Sequence, residues 1–167
     1  IYIYHLTALR SAMPLPMVGT PVILAPERWG GAQGIGRAIV QSLADNGARV
    51  AIVDIDAEGA ERAAEDVGGK AWVGDVTDLE RIEEVVNDIV AEFGGLQILV
   101  NNAGINIRNP IEDLSLEEFE QVMSVNVRGP WLCSRAVIPH MRAGGYGRVI
   151  NMGSTLGVVG VPGRTPY

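Results

Sequence analysis

With 167 residues, 47% of them hydrophobic, the chain is about one domain's worth and can bury a real core. A net charge of -7 and a single lysine, Lys70, leave no basic stripe to follow a phosphate backbone, so nucleic acid is not an expected partner. Cys133 is the only cysteine and cannot form an internal disulfide, which suits a reducing, cytoplasmic location; its apolar helical setting reads as a buried small hydrophobe. His5 and His140 share no metal-ligand spacing with each other or with Cys133, so no metal site is expected.

Residues 1 to 21 show neither helical nor alternating periodicity, and Pro14, Pro16 and Pro21 interrupt them, so they read as an irregular arm with no assigned function. Their apolar stretches are too short to span a membrane, and no charged region precedes them as a signal peptide requires. The chain opens on Ile1, which is not an initiator methionine. Val22-Ile23-Leu24-Ala25 could form a short buried strand. Pro26-Glu27-Arg28 then intervene where a central parallel strand should stay apolar, because a proline there removes a ladder hydrogen bond. An abnormal first strand is therefore expected.

The stretch Trp29-Gly30-Gly31-Ala32-Gln33-Gly34-Ile35-Gly36 places glycines where a chain turns sharply and approaches a ligand without a Cβ in the way. Ile35, Ile39, Val40, Leu43 and Ala44 recur at helical spacing, and Gly47 closes that helix. Unpaired N–H groups and the positive end of the helix dipole would then meet at the loop, a seat for a pyrophosphate. The apolar run Val50 to Val53 ends in Asp54, 18 positions beyond Gly36, which is a βαβ dinucleotide layout. The glycine spacing is Gly-x-x-x-Gly-x-Gly, not Gly-x-Gly-x-x-Gly. Plain turn chemistry would explain it equally well, were it not for the acidic residue closing the next strand.

Ala57 to Val67 reads as an alanine-rich helix broken at Gly68-Gly69, and Lys70 to Val73 as a short strand leading to Asp75. Thr77-Asp78-Leu79-Glu80 reads as a capping box, followed by one apolar stripe through Ile82, Val85, Val86, Ile89, Val90 and Phe93 up to Gly94. Leu96 to Val100 is a strand running into Asn101-Asn102-Ala103-Gly104. Ser115 opens the longest helix with a capping box to Glu118 and a hydrophobic staple of Leu114 with Phe119. Its apolar face continues to Val137, with a bend expected at Gly129-Pro130. Gly147 to Met152 is the last strand; Ser154 and a Gly/Pro-rich loop lead to Tyr167. Strands alternating with helices predict a doubly wound α/β parallel sheet of Rossmann type, ordered 3-2-1-4-5.

The Gly30/Gly34/Gly36 loop, Asp54, Asp75-Val76, Asn101-Asn102-Ala103-Gly104, Asn126, Ser154 and Tyr167, in that order, resemble the short-chain dehydrogenase/reductase family, over about Gly30 to Tyr167. The family's catalytic serine stands 13 positions before its catalytic tyrosine, as Ser154 stands before Tyr167. The resemblance implies that Gly30, Gly34, Ile35 and Gly36 hold the cofactor phosphates, that Asp75 and Val76 flank the adenine, and that Asn102, Ala103 and Gly104 floor its pocket and brace the strands. It implies that Asn126 holds a water in a proton relay, that Ser154 bonds the substrate oxygen, and that Tyr167 passes the proton. Asp54 would accept the ribose hydroxyls and repel a 2′-phosphate, so NAD is expected over NADP. Each has a blander reading: turn chemistry for Asp54, Asp75 and the Asn-Asn-Ala-Gly run, a solvent-facing or back-bonding side chain for Asn126, and plain surface for Ser154 and Tyr167.

Residues 1–28 are accordingly read as an arm of uncertain origin, and 29–167 as the N-terminal and central part of a dinucleotide-binding oxidoreductase domain. Trp29 stands where the family usually has threonine, and the family's lysine four positions beyond the tyrosine, with the helix and strands after it, does not follow Tyr167. The chain reads as a fragment, incomplete at its C-terminus and inactive as it stands. The expected activity of the family member is hydride transfer between a nicotinamide cofactor and a secondary alcohol or ketone. A sugar acid or polyol is the first choice of substrate and a 3-oxoacyl thioester the second. The family implies a homo-oligomer in the full-length form. The alternative is a truncated, non-catalytic nucleotide-binding or interaction module.

Overall fold

The computed structural model describes the strand Pro21–Leu24 and residues 34–167. The rest of the arm, the Pro26-Glu27-Arg28 interruption, and Trp29 and Gly30 of the glycine loop lie outside the described residues. Five parallel strands form one sheet: β1 (Pro21–Leu24), β2 (Ala51–Asp54), β3 (Lys70–Val73), β4 (Ile98–Asn101) and β5 (Arg148–Asn151). Their order is β3-β2-β1-β4-β5, the expected one. Val22 pairs with Ala51 on one side and Leu99 on the other, so β1 is the central strand despite its position at the end of the arm.

The helices are α1 (Ile35–Asp45), α2 (Ala57–Val67), α3 (Leu79–Phe93), α4 (Leu116–Met123) and α5 (Gly129–Ala143). Side chains alternate across a strand, so β2 and β4 each feed two cores. From the β2 segment, Val50 and Ile52 pack with Val40 and Leu43 of α1 and Ala60, Ala63 and Ala64 of α2. Ala51 and Val53 point the other way, into Ile82, Val85, Val86 and Ile89 of α3 and Cys133, Ala136 and Val137 of α5. Burial on both faces is why β2 and β4 read as continuous apolar runs instead of alternating ones. Among the described residues, no helix is long and apolar enough to cross a membrane.

Helix α3 ends where the sequence placed its end, with Gly94 at φ 75, a left-handed cap that a side chain would strain. Its start is different. Asp78, not Thr77, is the N-cap and accepts from the Arg81 N–H at 3.1 Å. Thr77 instead donates its own N–H and hydroxyl to Asp75 Oδ1, both at 2.8 Å. A carboxylate reaches the first-turn N–H groups as well as a hydroxyl does, so Asp78 takes the cap; three positions beyond it stands Arg81, and the expected Thr77–Glu80 capping box does not form. The Ser115 capping box is present as expected, with both of its hydrogen bonds formed.

The long helix after Ser115 is not continuous. It passes through a π-helical turn, Ser124–Arg128, before α5 begins. Pro130 has no N–H to give to residue 126, and its ring crowds that carbonyl. The ladder is re-formed with a wider step, in which the Gly129 N–H donates to the Ser124 carbonyl five residues back. The bend expected at Gly129-Pro130 thus lies just before it.

Gly129 also sets how closely α5 approaches the loop after β3: a Cβ there would stand 2.8 Å from Val76 Cγ2 and 3.2 Å from Val76 Cβ, and Val76 is 1% exposed. Overpacking of that kind costs roughly 1–3 kcal/mol, against a helix-propensity gain of about 1 kcal/mol for alanine over glycine. Gly129→Ala is therefore expected to lower stability in urea unfolding. In a Val76→Ala background the same change should be neutral or stabilising, a coupling that a double-mutant cycle reads directly.

Candidate active site

Asp54 ends β2, and Asp75, Val76, Asn102, Ala103, Gly104 and Ser154 follow the carboxyl ends of β3, β4 and β5, while Asn126 lies in the π-helical turn between α4 and α5. The chain leaves β1 toward β2 and β3 on one side and returns through α3 to β4 on the other, so the connections leaving β1 and β4 diverge. This divergence marks the topological switch point, the place where open parallel sheets take ligands.

Gly34 precedes α1 with φ 118, a backbone conformation that side chains rarely adopt, and it offers no side-chain cap. Helices α2, α3 and α4 are closed by Asp56, Asp78 and Ser115, whereas the first-turn N–H groups of α1 at Ile35 and Gly36 are left to other partners. Ile35 is exposed beside them, and Gly36 is buried against the sheet side.

Asp54 closes β2 and is 4% exposed. Its Oδ1 accepts from the Asp56 N–H at 2.9 Å. Burial pushes the carboxyl up to about 6; the nearby Asp56 charge acts in the same direction, and the backbone N–H groups of Asp56 and Ile55 oppose it. Asp75 is exposed, and its Oδ1 is used by Thr77, so the bland turn role is real there; among the described residues its second oxygen has no hydrogen-bond partner. Val76 is wedged under Gly129, which fixes the backbone at that point.

At the end of β4, Asn101 is 3% exposed and donates from Nδ2 to Asn151 Oδ1 of β5 at 2.7 Å. The two asparagines are also register partners, so the side-chain bond continues the strand pairing. The brace between strands thus falls on Asn101 itself. Asn102, Ala103 and Gly104 follow half-buried, and the Asn102 Nδ2 is a buried donor with no partner. Asn106 Oδ1 is a buried acceptor in the same condition. Unsatisfied buried groups cost about 1–3 kcal/mol each, and their clustering in one loop is what a ligand site requires.

Asn126 lies in the π-helical turn, and neither bland reading of it holds. Its Oδ1 accepts from the Ile105 N–H at 2.8 Å and its Nδ2 donates to the Ile105 carbonyl at 2.9 Å. The side chain clamps the loop after β4 at two points. This is a brace of the backbone that follows Asn102–Gly104, and it leaves the Asn126 side chain committed.

Ser154 opens a short 3-10 turn, Thr155–Gly157, with its Oγ accepting from the Leu156 N–H at 3.2 Å; its hydroxyl proton is still available to donate. Tyr167 is 39% exposed and lines a cavity of about 630 Å³ with Pro110, Ile111, Leu156, Gly157 and Arg164. Ser154 is not among the cavity-lining residues, although Leu156, which donates to it, is. Arg164 escaped the sequence reading; its one signal is that it stands in the Gly-Arg-Thr-Pro-Tyr run ending at Tyr167. Among the described residues, no group of three or more His, Cys, Asp and Glu side chains could hold a metal.

A nicotinamide dinucleotide fits this set: an uncapped helix start for phosphates, a buried carboxylate at the end of β2 for a ribose, and an orphaned amide in the loop after β4.

Known proteins point the same way. Residues 29–167 match the family model described as short chain dehydrogenase. The D-threitol dehydrogenase of Mycolicibacterium smegmatis is 37% identical over 143 residues, covering 83% of this chain and 55% of that protein. A 3-oxoacyl-(acyl-carrier-protein) reductase of Haemophilus influenzae is 39% identical over 140 residues, covering 83% of this chain and 58% of that protein. The crystal structure of an NAD+-bound xylitol dehydrogenase matches with a TM-score of 0.82 and 31% identity, over 90% of this chain and 59% of that one. The chain thus spans between 55% and 59% of the length of these proteins. With the family model matched from residue 29 through residue 167, the chain belongs to the short-chain dehydrogenase/reductase family.

Proposed function

We propose that the protein to which this chain belongs is an NAD-dependent oxidoreductase acting on a secondary alcohol or its ketone, with a polyol or sugar acid as substrate. The observation that carries the cofactor assignment is Asp54, buried at the end of β2 with its Oδ1 accepting from the Asp56 N–H. A carboxylate there accepts hydrogen bonds from ribose hydroxyls and opposes a 2′-phosphate. The choice of polyol or sugar acid is supported by similarity to the D-threitol and xylitol dehydrogenases; similarity to the reductase of H. influenzae keeps a 3-oxoacyl thioester as second choice. The reading as a non-catalytic module has no comparable support, because the named relatives are dehydrogenases and reductases.

When bound, the nicotinamide would supply the hydride chemistry. The residues of this chain divide the remaining work. In the proposed roles, Gly34, Ile35 and Gly36 with Gly30 seat the phosphates, Asp75 and Val76 flank the adenine, and Asn102, Ala103 and Gly104 floor the pocket. Asn126 keeps that floor in place through Ile105. Ser154 donates its hydroxyl proton to the substrate oxygen, and the Tyr167 phenol takes or returns the proton there, which is general acid-base work.

Two expectations follow from this assignment. The first concerns pH. Asp54 is charged above its value of about 6 and neutral below it, so its repulsion of a 2′-phosphate is full at pH 8 and fades as pH falls through about 6. The ratio of NADP to NAD dissociation constants, measured by titration, should be largest at pH 8 and drop by roughly tenfold or more at pH 5.5, about 1.4 kcal/mol. Asp54→Asn should give a small ratio at both pH values. A ratio that is flat with pH in the parent would sink the assignment.

The second expectation concerns turnover by the 167 residues alone, which we propose to be negligible. A tyrosine acting as a base needs a cation beside it, since ordinary phenols ionise near about 10. The family's lysine does that, and Lys70 cannot replace it: it lies on β3, at the opposite edge of the sheet from β5, in an ion pair with Glu92. The assay pairs this chain with a version extended through the segment that relatives carry beyond the tyrosine, using NAD with polyols and sugar acids. Turnover by the short form within about tenfold of the extended form would mean that Arg164 serves in the lysine's place.

A further inference from the structure

Beyond the candidate dinucleotide site, the cavity beside Tyr167 has a feature that hydride and proton transfer do not use. Arg164 lines it, and among the described residues no carboxylate stands within ion-pair distance of Arg164. Glu112 lines the same cavity but makes no ion pair with it. A guanidinium is a fork of five donors with no acceptor, so one left without an ion-pair partner among the described residues, in a half-open and mostly apolar cavity, suits a planar anion.

Its placement is not casual. The Tyr167 N–H donates to the Arg164 carbonyl at 3.2 Å, closing a four-residue turn whose ends stay close together. The two residues are therefore joined by one turn, and both line the same cavity. The turn is tied in turn to the loop after β4: Arg164 forms an isolated parallel bridge with Asn109. Asn109 donates from Nδ2 to both oxygens of Glu118, at 2.9 and 3.0 Å, and Glu118 is itself the partner of Ser115 in the α4 capping box. A rigid helix start thus positions the arginine through Asn109.

Resting on the oxidoreductase reading above, we propose that Arg164 is a substrate-binding residue, which selects a hydroxy acid over an uncharged polyol by pairing with its carboxylate. The turn then sets the reacting carbinol, at Tyr167, a few carbons from that carboxylate. A cavity of about 630 Å³ has room for a small acid of this kind.

The test is calorimetric titration of the chain at saturating NAD with D-gluconate, with xylitol, and with inorganic phosphate at matched ionic strength. Gluconate should bind about tenfold or more tightly than xylitol. Arg164→Gln should abolish that preference and leave xylitol and NAD within about twofold of the parent, whereas Arg164→Lys should retain part of it, having the charge without the fork. Unchanged NAD affinity reports that the variants are folded. Equal binding of gluconate and xylitol, or a preference that survives Arg164→Gln, would overturn the proposal. Phosphate binding as tightly as gluconate would overturn the carboxylate assignment in favour of a general anion site. Failure of the parent to bind NAD would take the oxidoreductase reading down with it, while NAD binding without gluconate preference removes this proposal alone.

Discussion

The missing N–H of Pro130 is a small defect with a long reach. A regular α-helix from Ser115 to Ala143 would need that donor at the carbonyl of residue 126; without it the chain inserts a π-helical turn, and Asn126 sits within the insertion. From there the side chain meets Ile105 with a donor and an acceptor at once. An asparagine amide, with one donor and one acceptor end, completes both bonds to the backbone of one residue, and in a continuous helix the same residue would be a poor helix former with nothing to grip. The loop carrying Asn102, Ala103 and Gly104 is thus anchored at its far end by a helix defect. Its near end is anchored by the buried Asn101–Asn151 pair.

A second constraint comes from the same helix. Gly129 lets α5 settle against Val76, so the loop after β3 and the loop after β4 are both referenced to one element. Helix α5 in turn packs through Cys133, Ala136 and Val137 into the core built on α3 and β4. Loop positions on the ligand side of the sheet are therefore inherited from close packing on one face, which transmits small changes in volume because protein interiors have few voids to absorb them. The other face, packed by α1 and α2, reaches the site only through Asp54 and the start of α1.

Much of this was legible in the residues. Apolar runs bounded by turn residues marked β2, β4 and α3 because burial on both faces of a parallel sheet demands them, and Ser115 with Glu118 marked the start of α4 because the two hydrogen bonds of a capping box are local. Interactions that depend on distant partners were not. Thr77 and Asp78 offer equally good caps, and only the Asx-type bond of Thr77 to Asp75 decides between them. Asn126 stood out through the resemblance as a candidate relay residue, but its clamp on Ile105 was not legible, since Ile105 lies 21 positions away. Arg164 gave little signal beyond its place in the run ending at Tyr167, because a lone arginine in a loop becomes informative only when it proves to make no ion pair among the described residues.

The site also carries costs that folding alone would not select. Burying the Asp54 carboxyl raises it to about 6, so near neutrality the folded chain carries a charge that its burial disfavours relative to the unfolded chain. Since the folded carboxyl binds its proton more tightly than the unfolded one, this penalty is absent at low pH, grows as pH rises from the ordinary aspartate range toward about 6, and is full above that. Asn102 Nδ2 and Asn106 Oδ1 add unsatisfied buried groups a few residues from the Asn126 clamp. An apolar or turn-forming residue at any of these positions would serve the fold better. Polar groups held without partners by rigid neighbours are groups whose partners arrive from outside, and the energy withheld from folding is then available on binding.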